Sequence, residues 1–138
     1  MATPATEREN LGRMHTLRLM LCGDVMTGRG IDQIMPRSVD PSVFEPVVRS
    51  AKEYVTLAEK RHGTIPRNVE PEYIWGDALP LIKQMQPDVR IANLETAVTT
   101  SEDRQRKGIN YRMHPANVTC LQAAPLDVCT LANNHVLD

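Results

Sequence analysis

A chain of 138 residues is long enough for one domain, and 41% hydrophobic with 24% charged residues argues against a disordered polymer. Sixteen basic and 17 acidic residues leave a net charge of −1, which excludes a uniformly charged surface that would draw a nucleic acid. With one Trp, three Tyr and one Phe, the core has to come from aliphatic side chains, Met and Ala, which suits buried strands of an α/β sheet better than a β-sandwich.

Residues 1–16, MATPATERENLGRMHT, mix charged and polar residues and predict a mobile arm. They contain no apolar core of a secretion signal, and no window reaches the roughly 18 apolar residues of a membrane span. The expected location is therefore the cytoplasm. Cys22, Cys120 and Cys129 are odd in number and lack C-x-x-C spacing, so they read as free thiols of a reduced protein.

LRLMLCG (Leu17–Gly23) is a short apolar run stopped by glycine, which suits a buried strand. MTGRGIDQIM follows as a turn leading into a short helix, closed by Pro36 and Pro41. From Phe44 to His62, Val47, Val48, Ala51, Tyr54, Val55 and Ala58 recur at spacings of three and four, predicting an amphipathic helix ended by Gly63. After a proline-bearing connector, Asp77 is the expected N-cap of a second helix, with Pro80 tolerated in its first turn and Pro87 stopping it.

DVRIANLE (Asp88–Glu95) is the second strand candidate. The segment from Ala97 to Asn110, with SEDRQRKG at its centre, has too little apolar content to pack and is expected to be a loop that moves in the absence of ligand. ANVTCLQAA reads as a third helix and LDVCTLANN as the third strand. This order predicts parallel βαβ units covered by helices.

All three strand candidates end in polar residues: Gly23-Asp24, Asn93-Leu94-Glu95, and Asn133-Asn134-His135. In an open parallel sheet, ligands bind beyond the carboxyl ends of the strands, so the three clusters should converge. Asp24 and Glu95 are hard oxygen ligands, Asn134 offers an amide oxygen, and His135 ligates or transfers a proton. Such a mixture suits a hydrolytic metal centre. Each residue alone reads equally as a turn former or helix cap, and it is the threefold recurrence that points to a site. Gly23 and Gly28 have the spacing of a phosphate-binding loop, but Arg29 and Gly30 stand where Lys and Ser or Thr are required. G-x-G-x-x-G, G-x-S-x-G and H-E-x-x-H are all missing from the sequence.

GDVMTGRG, YIWGDAL, IANLETAVT, KGINYRMHP and LANNHVLD, in this order, resemble the N-terminal half of the CapA family of capsule or poly-γ-glutamate biosynthesis proteins, from about Leu17 to Asp138. That family belongs to the calcineurin-like metallophosphoesterase superfamily. The resemblance implies an α/β/β/α sandwich of which this chain supplies the N-terminal βαβαβ part, incomplete at its C-terminus. It also implies one or more divalent metal ions at the strand ends, with Mn, Fe, Zn and Mg all open, held by Asp24, Asn93, Glu95 and Asn134. His135 matches the histidine that meets the substrate phosphate or leaving group. Arg29, Lys107, Tyr111, Arg112 and His114 lie in family-like segments suited to an anionic substrate or polymer, a phosphate ester or poly-γ-glutamate, and surface charge is the competing reading for Lys107.

Two positions depart from the superfamily pattern: Met26 stands where many phosphoesterases have histidine, and Glu95 where aspartate is usual. Family members continue past the asparagine-histidine motif and supply further histidines. The resemblance therefore implies that this chain stops within its own site, binds metal weakly and hydrolyses little by itself. Two further readings stand beside the enzyme: a non-catalytic accessory protein that binds an anionic polymer or its synthesis partners, and a structural domain whose polar strand ends are only caps.

Overall fold

The computed structural model describes residues 16–138, so the arm expected over residues 1–16 falls almost wholly outside the described residues. The fold is α/β. Strands β1 (Leu19–Val25), β2 (Val89–Leu94) and β3 (Val128–Thr130) form a parallel sheet in the order β1-β2-β3. Helices α1 (Ala51–His62), α2 (Ala78–Met85) and α3 (Thr119–Ala123) lie in the connections. Among the described residues no helix is long and apolar enough to cross a membrane.

The first helix starts later than its apolar spacing suggests. Ser50 and Glu53 form a reciprocal capping box that fixes the start at Ala51, and Pro46 interrupts the segment before it. Val43 N–H instead donates to the Arg49 carbonyl, closing a loop across residues 43–49. Gly63, at φ +86°, ends the helix as expected. Asp77 stands at the N-cap of α2 but its side chain makes no cap bond, and Pro80 lies in the first turn. The third helix is short and is preceded by a 3-10 turn over Pro115–Asn117.

One face of the sheet shares a core with α1 and α3. Leu94, Cys120, Leu121, Met113, Val55 and Ile34 form the core, with Val25 and Cys129 packed against it. The opposite face is open: Leu19, Leu21 and Val128 are all about half exposed or more. Leu21, Ile91 and Val128 are register partners, so they form one apolar row on that face.

The segment after β2 is a loop without strand or helix over residues 99–110, as expected, but its first two residues are paired. Ala97–Val98 and Arg112–Met113 pair as a short parallel ribbon, with Ala97 opposite Arg112 and Val98 opposite Met113. Gly28 is pressed against this ribbon: a Cβ there would lie 2.8 Å from both N and O of Arg112, so no larger residue fits without moving backbone.

Asp32 ties the same region together from inside. Its fully buried carboxylate accepts from Val39 N–H (2.8 Å), His114 N–H (2.9 Å) and the Asn117 amide (2.8 Å). Burial is the largest influence on Asp32 and pushes its pKa up against these donors. A carboxyl raised in the folded state stabilises the fold fully below its unfolded pKa, and that contribution is lost as pH rises through the folded value. Asp32→Asn turns an amide NH2 toward at least one of the three donors and is expected to cost about 1–3 kcal/mol in urea unfolding. It should also flatten the fall in stability as pH rises above 3.8, the ordinary value for this carboxyl.

Candidate functional site at the strand ends

Strand β1 does not run in simple register with β2. Leu19 faces Val89 and Leu21 faces Ile91, but the next partner of Asn93 is Asp24, because the register shifts between Leu21 and Asp24. Without the shift Gly23 would stand opposite Asn93. The irregularity turns Asp24 onto the face where a glycine would otherwise lie, as bulges do when they re-aim a side chain.

Asp24, Asn93 and Thr130 are consecutive register partners across the three strands. Asn93 donates its amide to Asp24 Oδ1 (2.8 Å), and its oxygen accepts from the Asn133 amide (3.0 Å) and the Thr130 hydroxyl (3.3 Å). Asn133 also donates to the Leu94 carbonyl (3.0 Å) and accepts from His135 N–H (2.9 Å). An amide ladder thus runs from β1 to the turn after β3 and fixes where the histidine begins.

Glu95 follows β2 and meets Asp24. Asp24 is held below the ordinary aspartate value, first by the Asn93 amide and then by a hydrogen bond from the Glu95 carboxyl. Glu95 is raised, first by that same hydrogen bond, then by burial and the Asp24 charge. The neighbouring carboxyls thus shift in opposite directions, Asp24 down and Glu95 up. His135 is buried, and its Nε2 lies 3.6 Å from Glu95 Oε1.

Behind the imidazole stands Asp138. Its Oδ2 is 2.5 Å from His135 Nδ1 and accepts Tyr111 N–H at 2.6 Å, while Lys107 forms an ion pair with Oδ1. Burial pushes the Asp138 pKa up, but Lys107, Tyr111 N–H and His135 together outweigh it and hold the carboxyl below its ordinary value. The Tyr111 ring meets the imidazole edge to face at 4.5 Å between centroids.

The sequence candidates therefore divide. Asp24, Asn93, Glu95, His135, Lys107 and Tyr111 come together. Asn134 lies beside them, exposed, with its carbonyl accepting from Lys107. Asn93 presents nitrogen rather than oxygen to Asp24, so ligation through its oxygen would require breaking the bonds from Asn133 and Thr130. Arg29 pairs with Glu45 and stacks over Tyr54 at 4.1 Å, with Tyr111 at 5.3 Å. Arg112 reaches the Ser101 and Asp40 carbonyls, and His114 uses Nδ1 to accept Ala116 N–H at 3.0 Å, capping a turn away from the carboxyl pair. Asp138 and Asn133 were not among the sequence candidates. The only signal for Asp138 is its place three residues after His135.

Among the described residues there is no group of three or more His, Cys, Asp or Glu with the arrangement to hold a metal ion. The donor chemistry nonetheless suits a cation at one point: Asp24 and Glu95 are neighbouring carboxyls, hard oxygen donors whose mutual repulsion a divalent ion would offset. A cleft of about 380 Å³ opens beyond Asp138, walled by Arg29, Gln33, Phe44, Arg104 and Arg112.

Asn133→Ala removes both amide donations and the acceptor for His135 N–H. The expected loss is about 1–3 kcal/mol, with faster amide hydrogen exchange at His135 than at Ala92 in the sheet interior.

The family model for the bacterial capsule synthesis protein PGA_cap matches residues 18–138. Curated relatives in two strains of Mycobacterium tuberculosis, CDC 1551 / Oshkosh and H37Rv, each named a probable polyglutamine synthesis accessory protein, are 45% identical over 128 residues. Those alignments cover 92% of this chain and 34% of each relative, so the chain spans about a third of the length of the curated relatives it matches. No solved structure matches the chain.

Proposed function

The chain belongs to the bacterial capsule synthesis protein PGA_cap family, and from that premise we propose that it carries the strand-end part of a metal-dependent, phosphoesterase-like site serving capsule or poly-γ-glutamate biosynthesis. The observation that carries the reading is the Asp24–Glu95 carboxyl pair, aimed by the β1 irregularity and faced by His135 Nε2. Asp24 and Glu95 would hold a divalent ion, with the exposed Asn134 amide alongside. Bound there, the ion would supply Lewis acidity toward a phosphoryl oxygen. Asn93 keeps Asp24 aligned, and His135 is placed to donate a hydrogen bond or proton to a leaving oxygen.

The open apolar row Leu21, Ile91 and Val128 supports the larger architecture, an α/β/β/α sandwich to which residues 17–138 contribute the first layers. Parallel sheets are ordinarily covered on both faces, and this one is covered on one.

A second reading is favoured by the relatives' printed role as accessory proteins. In it the chain binds an anionic polymer without turnover, and the Arg104 and Arg112 cleft carries the contact.

Calorimetric titration with Mn²⁺, Zn²⁺ and Mg²⁺ tests the first reading. Asp24→Asn or Glu95→Gln should weaken binding by at least about tenfold. Equal affinity in both variants and the parent overturns the metal site. Metal binding without phosphomonoester or phosphodiester turnover, in this chain and in one of the relatives' full length, selects the accessory reading.

A further inference from the structure

We propose that a groove beside the strand ends receives the apolar part of the ester, so that the alcohol leaving the site carries an aliphatic chain. The groove has a volume of about 370 Å³ and lies between the turn after β1 and the first helix, with Met26, Ile31, Val55, Ala58, Ile65 and Tyr111 on its walls. That volume falls in the range of small-ligand sites, which are mostly apolar. The assignment rests on the functional reading above, because it is that reading that puts a phosphoryl group at Asp24 and Glu95.

Arg29 is the single charged residue among the described ones that line the groove, and its charge is already met. Its guanidinium pairs with Glu45 and lies over the Tyr54 ring at 4.1 Å, and the Tyr54 hydroxyl donates to the same Glu45. A sugar or a second anionic group entering the groove would lose water and gain few hydrogen bonds in return. An aliphatic chain has no such loss, and each methylene it buries strengthens binding roughly fourfold. Arg29 also lines the polar cleft of Arg104 and Arg112, so two cavities of opposite character meet at this residue.

Two contacts join the groove to the strand ends. Met26 follows Asp24 by two residues, and the Thr27 N–H donates to the Thr96 hydroxyl at 3.1 Å, which ties the turn to the residue after Glu95. Tyr111 is a wall of the groove and also meets the His135 ring edge to face at 4.5 Å between centroids. A leaving oxygen at His135 Nε2 is thus one aromatic ring away from the groove. The turn itself is shaped by close approach: a Cβ on Gly30 would lie 3.1 Å from Tyr54 Cβ, and Arg29 before it takes φ +54°. Met26 is 40% exposed, and its unbranched thioether adapts to chains of different shape.

Methyl-resolved NMR titrations with octyl phosphate, methyl phosphate and octanol, each below the concentration at which micelles form, read the groove directly. Octyl phosphate should bind at least about tenfold more tightly than methyl phosphate and shift the methyl signals of Met26, Ile31, Val55 and Ile65. Equal affinity for the two phosphates, or shifts centred on Leu21, Ile91 and Val128 of the open sheet face, overturns the proposal. Octanol that binds as tightly as octyl phosphate also overturns it, since the groove would then serve no phosphate ester. Ala58→Phe, which fills the groove, should abolish the preference for the longer chain and leave the methyl phosphate affinity unchanged. Should that variant not fold, Ile31→Ser at the exposed rim should reduce the preference by at least about threefold, and a folded variant of either kind that keeps the full preference overturns the proposal. In one of the relatives' full length, loss of the preference would mean that the remainder of the fold covers the groove, and overturns it as well. Methyl phosphate binding that Asp24→Asn leaves unchanged overturns the functional reading instead, and the chain-length preference then leaves the groove assigned to an aliphatic anion.

Discussion

Between Leu21 and Asp24, strand β1 carries one residue more than the partner it runs beside, and the position of Asp24 depends on that slip. Side chains alternate faces along a strand, so one extra residue exchanges the face of all that follow. Before the irregularity, the outer face shows Leu19 and Leu21; after it, Asp24. Asn93 then has a carboxylate within reach on one side and the Asn133 amide on the other, which fixes the direction of its own amide. Each further step, from Asn133 to His135 N–H and from Asp24 to Glu95, takes its geometry from that alignment.

Two buried carboxylates fasten the surrounding chain by the same physical logic. Asp32 gathers donors from Val39, His114 and Asn117, and Asp138 gathers them from Lys107, Tyr111 and His135. An ionised carboxylate out of water is tolerable only when its oxygens are met by donors, so each fixes the segments that supply them. The close approach of Gly28 to Arg112 brings the ribbon after β2 against the turn after β1. The Ala97–Asn110 loop touches the rest of the chain at two points, through Lys107 near its far end and through the ribbon at its start.

The three strands, their parallel order and the clustering of Asp24, Glu95 and His135 were legible because each polar residue follows an apolar run, and parallel topology gathers strand ends. The start of α1 was legible in Ser50 and Glu53, but the apolar residues from Phe44 to Val48 suggested an earlier one; local capping and Pro46 prevailed. The two-residue ribbon carries no periodic signal, and a register slip leaves no mark in composition. Asp138 matters through Lys107 and Tyr111, which lie far from it along the chain, so its role needed the fold. Arg112 bonds backbone carbonyls and His114 caps a turn, structural contacts for which the sequence carries no signal.

The central claim is that the alignment of β1 and β2 creates a cation-binding point at the strand ends. Paramagnetic broadening of backbone amide signals by substoichiometric Mn²⁺ tests it most directly, since the effect reports distance from the ion. The account predicts strongest broadening at Asp24, Asn93, Glu95 and His135, with Asp40 and Glu102 in the neighbouring cleft much less affected. Broadening centred on Asp40 and Glu102, or spread evenly over the surface acids, would contradict it.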